Sequence, residues 1–290
     1  MKRLSGLFSA PKTSFQILSD LHLNYESQYL TFHIPVTAPY LILAGNIGRL
    51  IDYESYLSFL VRRCNLYEKV FLVLGSLEFH GLGYLDGLEL AGRLEKEMGT
   101  KGKLEVLCRT RSDVAGTNVT LLGCTLWSKI PEAAEAAVLN RIPEFDQQEG
   151  IRDWSIAKHN AEHARDLDWL RHEIHNPRSF AGSEASASSS QLVVVSSFAP
   201  ELRETLPPWQ VASPWSTAYG TELLSGNDWN GVKAWVCGAT GRSGEFKKYG
   251  VKVASNQRGC VGEEVTGILE DGMTEKKKKG LFDITKVIRV

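Results

Sequence analysis

Asp20 and His22, at the end of the stretch FQILSDLH (15–22), have the side chains for either of two chemistries. A carboxylate and an imidazole so close in sequence can share a metal ion. They can also form an acid/base couple in which the carboxylate orients and charge-stabilises the ring. The apolar Phe15, Ile17 and Leu18 just before them read as a short buried strand, which carries both groups to its carboxyl end. Other apolar runs end in a comparable way. Tyr40–Gly45 leads to Asn46, and Val70–Gly75 leads to Ser76, Leu77, Glu78 and His80. Leu192–Val195 leads to Ser197 and Phe198, and Val232–Cys237 leads to Ala239, Gly241 and Arg242. Ligand sites of α/β proteins gather at the carboxyl ends of strands, so these loops are expected to converge on one pocket.

The elements that must position these groups follow from periodicity. Residues 52–66 place Tyr53, Tyr56, Leu57, Leu60, Val61 and Cys64 at helical spacing, and further helices are expected over 85–98 and 155–175. The run VTLLGCTLW (119–127) reads as a buried strand, with 104–108 as its expected partner and a short last strand at 286–290. Short apolar runs alternating with helices and punctuated by glycine predict a sheet flanked by helices. Residues 1–14 read as a flexible leader, 15–290 as a single domain, and the small polar stretch 179–191 as a flexible surface loop within it. The Pro-, Trp- and Ser-rich stretch 205–230 reads as a long loop beside the pocket, carrying Trp215 and Trp229.

Composition narrows the field. Of 290 residues, 43% are hydrophobic, and the net charge of −1 gives no argument for nucleic acid or an anionic membrane as partner. No apolar run has the ~20 residues needed to span a bilayer, and the first residues lack a signal-peptide core, so a cytoplasmic location is expected. The five cysteines are odd in number and show no C-x-x-C spacing, which argues against a zinc knuckle or a disulfide framework. His159 and His163 in HNAEH have the spacing of a zinc-protease helix, but Asn160 stands where the general-base glutamate belongs. His163 falls on the apolar face of that helix, so a hydrogen-bonded core histidine is the expectation.

The order and spacing of the strand-end segments resemble the calcineurin-like metallophosphoesterases, and most closely a fungal-type branch of that superfamily. The family motifs run D-x-H, G-D, G-N-H-E, a histidine before A-P, and G-H-x-H. The resemblance extends over roughly 15–260, through Gly123–Ser128, His159-Asn160, Asp166–Leu170 and Asn256–Gly259. It implies a four-layered αββα sandwich, two mixed sheets with helices outside. In the family, two metal ions activate a water for attack on a phosphate ester. Position by position, Asp20 and His22 are kept, whereas Asn46 replaces the bridging aspartate and Ser76 and Leu77 replace N-H of G-N-H. Ser197 or Phe198 falls at the histidine before A-P, and Ala239 and Gly241 replace the histidines of G-H-x-H.

An amide cannot bridge two cations as a carboxylate does, and Leu, Phe, Ala and Gly bring no side-chain donor atom. The expectation is therefore a degenerate member without a dinuclear centre and with no cofactor. Its pocket would be a larger, drier cavity walled by Asn46, Ser76, Leu77, Ser197, Phe198, Ala239 and Gly241, with Arg258, Trp215 and Trp229 beside it. Asp20, His22, Glu78, His80 and Arg242 are the candidate catalytic residues. The chemistry expected of them is metal-independent cyclisation, isomerisation or dehydration of an apolar small molecule, as in secondary metabolism. The alternatives are a pseudophosphatase that binds a partner or ligand, and a residual metal-dependent phosphoesterase.

Overall fold

The computed structural model describes residues 12–175, 190–225, 228–259 and 281–290. The expected leader and the loop over 179–191 fall outside these residues, apart from their last positions. Thr13 is already paired with Val290, and Ser14 and Gln191 are the first residues of strands.

Three apolar strands, β1 (Ser14–Leu18), β2 (Tyr40–Ala44) and β3 (Lys69–Val73), run parallel, so the residues after each lie at the same edge of the sheet. β4 (Leu104–Val106) continues this sheet beyond β3, and the last strand, β11 (Val287–Arg289), closes its other edge antiparallel to β1. Leu104–Cys108 is thus not the partner of the 119–127 strand. That partner is β5 (Thr110–Asp113), a polar edge strand whose sequence TRSD carries no apolar alternation. The chain passes from one sheet to the other between β4 and β5, through Arg109 in a left-handed conformation.

The second sheet has the order β5-β6-β7-β8-β10-β9. β6 (Val119–Cys124), β7 (Gln191–Ser196), β8 (Val232–Cys237) and β10 (Val251–Ser255) are parallel, and β9 (Gly244–Lys248) is an antiparallel edge. Central strands of both sheets are covered on two faces, which explains their near-continuous apolar sequences.

Alternate side chains divide between two cores. Phe15, Ile17, Ile42, Ala44, Phe71 and Val73 of the first sheet meet Val119, Leu121, Val193, Val195, Ala234 and Val236 of the second. The opposite faces carry Leu18, Leu41, Leu43 and Leu72 beneath α1 (Tyr53–Leu66) and α2 (Tyr84–Lys96), and Leu122, Val194 and Trp235 beneath α4 (Ile156–His175). The architecture is the four-layered sandwich, two mixed sheets flanked by helices. A small third cluster joins α3 (Glu135–Arg141) to the long loop between β7 and β8, and Trp215 packs there.

Gly123 in β6 marks a close approach of the two sheets, because a side chain there would overlap Leu107 Cβ. Gly123→Ala is expected to destabilise the protein by roughly 1–3 kcal/mol through overpacking. Urea denaturation checks this, and an unchanged midpoint contradicts it.

Candidate functional site at the strand ends

The carboxyl ends of both sheets do converge. Ser19 N donates to Asn256 O (2.9 Å) and Ala239 N to Asp20 Oδ2 (3.0 Å), each across the two sheets. The turns are tight enough that Asp20, His22, Asn46 and Ala239 all adopt positive φ, between 49° and 65°. For residues with a β-carbon each such conformation costs ~1–3 kcal/mol, and a cluster of them marks a place where the surrounding structure overrides local preference.

Glu78 holds this geometry. It is 0% exposed and sits in a short helical turn after β3. Its Oε2 accepts from Asn46 N (3.0 Å) and Gly75 N (2.7 Å). Its Oε1 accepts from Ile47 N (2.8 Å), Gly48 N (3.4 Å) and the Tyr56 hydroxyl (3.1 Å). Glu78 is therefore no rim acid. Every lone-pair direction is spent on the turns after β2 and β3 and on α1.

The positions that resemble metal ligands are joined by a hydrogen-bonded chain. Asn46 Nδ2 donates to Asp20 Oδ1 (2.9 Å), and Asn46 Oδ1 accepts from Leu77 N (3.1 Å). Both polar atoms of the amide face protein. Burial raises the Asp20 carboxyl to about 6, against hydrogen bonds from Asn46, Ser19 and Ala239 that pull the other way. A dinuclear centre does not fit this donor set. The bridging position is an amide already bonded on both sides, and Leu77, Phe198 and Ala239 supply no side-chain ligand. Among the described residues no group of three or more His, Cys, Asp or Glu side chains is placed to hold a metal ion.

His22 and His80 stand near one another on the partly open rim, and burial lowers each to about 4. The Arg258 cation adds to this at His22, and Arg49 and His22 add to it at His80. Arg258 bonds Leu21 O (3.0 Å) and lies 4.7 Å over the Phe32 ring, so it fastens the loop that carries His22. Ser197 Oγ is buried without a hydrogen-bond partner among the described residues and lies 2.7 Å from where a Gly75 β-carbon would stand. Gly241 N, like Thr240 N, donates to Gln257 Oε1.

Three expected members are elsewhere. Arg242 turns its guanidinium to Glu204 O and Leu206 O. Trp229 is 4% exposed and packs 4.8 Å from Trp235 in the outer core, with its N–H on Leu223 O. Trp215 sits in the α3 cluster, beneath Arg141. Two of the residues expected to wall a larger, drier cavity are packed. Leu77 is 8% and Phe198 1% exposed, because Phe198 fills its own space against Trp127 (5.4 Å) and His159 (5.7 Å).

The loop bearing Trp127 has φ of 71° at Leu126 and 41° at Trp127, unusual for residues of that bulk. One face of α4 holds it there. Asp166 Oδ2 accepts from Leu126 N (2.7 Å), His163 Nδ1 donates to Leu126 O (2.8 Å), and His159 Nε2 accepts from Ser128 N (3.1 Å). The HNAEH segment is thus a loop clamp. Glu144 went unnoticed in the sequence because it lies in an aperiodic segment. Its carboxyl is 9% exposed, is raised by burial, and is hydrogen-bonded by the side chain of Ser76.

With the fold and site described, comparison with known proteins places the architecture. Phosphopantetheinyl hydrolase (PptH) from Mycobacterium tuberculosis superposes over 87% of this chain and 91% of its own, with a TM-score of 0.59 and 15% identity, which establishes a shared fold. A Staphylococcus aureus chain described as a 5′-nucleotidase (TM-score 0.43, 13% identity, 85% of this chain and 48% of that one) is a more distant match. So is GAP50, the anchor in the inner membrane complex of Plasmodium (TM-score 0.45, 12% identity, 90% and 76%). No family model and no curated protein matches the sequence. Among the described residues no helix is long and apolar enough to cross a membrane.

Glu78→Gln would set an NH₂ donor against backbone N–H groups. It is expected to cost roughly 2–4 kcal/mol, a lost charge-assisted bond plus an unsatisfied donor, read from the denaturation midpoint. His159 is 1% exposed, and burial lowers it to about 3, with His163 and the Ser128 bond as smaller influences. Its folded value lies below the unfolded ~6.5, so its stabilising contribution is complete above that pH and is lost as pH falls toward 3. His159→Gln keeps an acceptor for Ser128 and removes the titration. The variant's stability should fall less steeply with acidification, by up to ~1.4 kcal/mol per pH unit between pH 6 and 4. Parallel curves for variant and wild type would contradict the assignment.

Proposed function

We propose that this chain is a phosphoesterase-fold protein that acts by binding and not by two-metal phosphoester hydrolysis. The observation that carries this reading is Asn46. Its amide nitrogen is on Asp20 and its amide oxygen on Leu77 N, where a bridging carboxylate would be needed. The buried Phe198 and Leu77 and the structural role of Glu78 support it further, because they commit these positions to packing and to holding the turns. Metal analysis by mass spectrometry tests the reading, on protein purified without chelator and then reloaded with Mn²⁺ and Zn²⁺. The expected result is far less than one equivalent and no turnover of p-nitrophenyl phosphate or its diester. Two equivalents, with hydrolysis that Asp20→Ala removes, would sink it.

A second reading, metal-independent proton transfer on an apolar small molecule, is favoured by the rim. His22 and His80 are both held neutral by burial there, beside an Asp20 carboxyl raised to about 6. On this reading His22→Ala abolishes turnover of the metabolite at an unchanged melting temperature. Turnover that survives the substitution excludes His22 as the base.

A further inference from the structure

A second concave site lies away from the strand ends, between the start of α2 and the first half of α4. The open cleft has a volume of about 390 Å³, within the usual size of small-molecule sites. Its lining includes Tyr84 and Trp154, with Lys158 and Ala161 from one face of α4 and Arg152 from the loop before it.

The aromatic lining is preformed. The Trp154 ring is 5.2 Å from Tyr84 and 4.7 Å from Trp127, which is itself fully buried and leaves Trp154 nowhere to collapse. Tyr84 is fixed by its hydroxyl on Glu162 Oε2 (3.1 Å), and Glu162 is fixed in turn by Arg109 and Arg165. Leu85, 75% exposed, adds apolar surface at the rim. Such a surface suits a flat ring.

The rim selects the charge. Arg152 is anchored through its backbone N on Leu82 O and its Nη2 on Gly81 O, with Asp86 no nearer than 4.0 Å. Lys158 Nζ donates to the backbone oxygen of Asp153. Neither cation donates a hydrogen bond to a carboxylate among the described residues, so both keep capacity for an anionic group. Asp86 and Asp153 line the same cleft and oppose a polyanion such as a nucleotide polyphosphate.

We propose that this cleft binds a planar aromatic molecule carrying a single negative charge, its ring against Trp154 and Tyr84 and its anion toward Arg152 and Lys158. The inference rests on the reading of the chain as a binding protein and supplies the ligand class.

The test is calorimetric titration of naphthalene-2-sulfonate into the full chain, with melting temperatures recorded for each variant. One equivalent should bind. Ala161→Trp, which plugs the cleft from the exposed face of α4, and Arg152→Glu, a change at an exposed side chain, should each weaken binding at least roughly tenfold. Asp20→Asn should leave binding unchanged. No binding to the wild type, or equal binding by all variants, overturns the proposal. Binding lost in Asp20→Asn and kept in Ala161→Trp also overturns it, while leaving the binding reading intact. Two-metal hydrolysis in the assay above would instead sink that reading, whatever the cleft binds.

Discussion

The interaction on which the strand ends depend is a carboxylate without a countercharge. Burial pushes the Glu78 carboxyl above its ordinary value, yet its partners are four backbone N–H groups and a tyrosine hydroxyl that donates to it. A protonated glutamic acid would aim a donor at one of these donors, so the geometry calls for the anion. Dipoles replace a cation, as they do at helix amino ends. Because the five donors come from the turn after β2, the turn after β3 and the first turn of α1, one side chain fixes three elements at once. Asn46 owes its left-handed backbone, and hence its reach to Asp20, to that constraint.

From Asn46 outward, dipoles meet the Asp20 carboxyl. Asp20 in a metal site would have its charge balanced by cations. Here an amide NH₂ and the Ala239 N–H do that work, and burial holds the acid at about 6. A half-satisfied polar network would be costlier than an apolar filling, because each orphaned group loses its water. These residues therefore act together. The amide at 46 needs the backbone N–H of residue 77 to take its oxygen, and Phe198 occupies volume that would otherwise be an unfilled cavity beside Trp127.

Much of this architecture is legible in the sequence, for a physical reason. Apolar runs ending in glycine mark buried parallel strands, and parallel pairing brings their carboxyl ends to one edge. Asp20, Asn46, Ser197 and Ala239 could thus be gathered without coordinates. Strands that lack the apolar signature were not legible. β5 is a polar edge, and without it β4 was paired with the wrong sheet. Long loops hid more. Trp229 and Arg242 lie only a few residues from strand ends, yet their directions are set by contacts with Leu223, Glu204 and Leu206 that no periodicity encodes. Glu78 reads as a catalytic candidate because its type suggests chemistry, whereas its role depends on backbone groups that a sequence does not display.

The aromatic cluster shows how a closed site and an open one share a wall. Trp127 and Trp154 each bury an indole N–H with no partner among the described residues, at a cost of ~1–3 kcal/mol apiece, and Leu126 and Trp127 add backbone strain. Asp166, His163 and His159 hold the loop from α4 against that cost. Seen from the strand ends, the cluster is a plug, with Phe198 packed on Trp127. On the far side it is a platform, with Trp154 and Tyr84 lining the cleft. The packing that fills the strand-end side also keeps the ring on the other side from collapsing inward, so the apolar filling and the rigidity of the cleft follow from one packing solution.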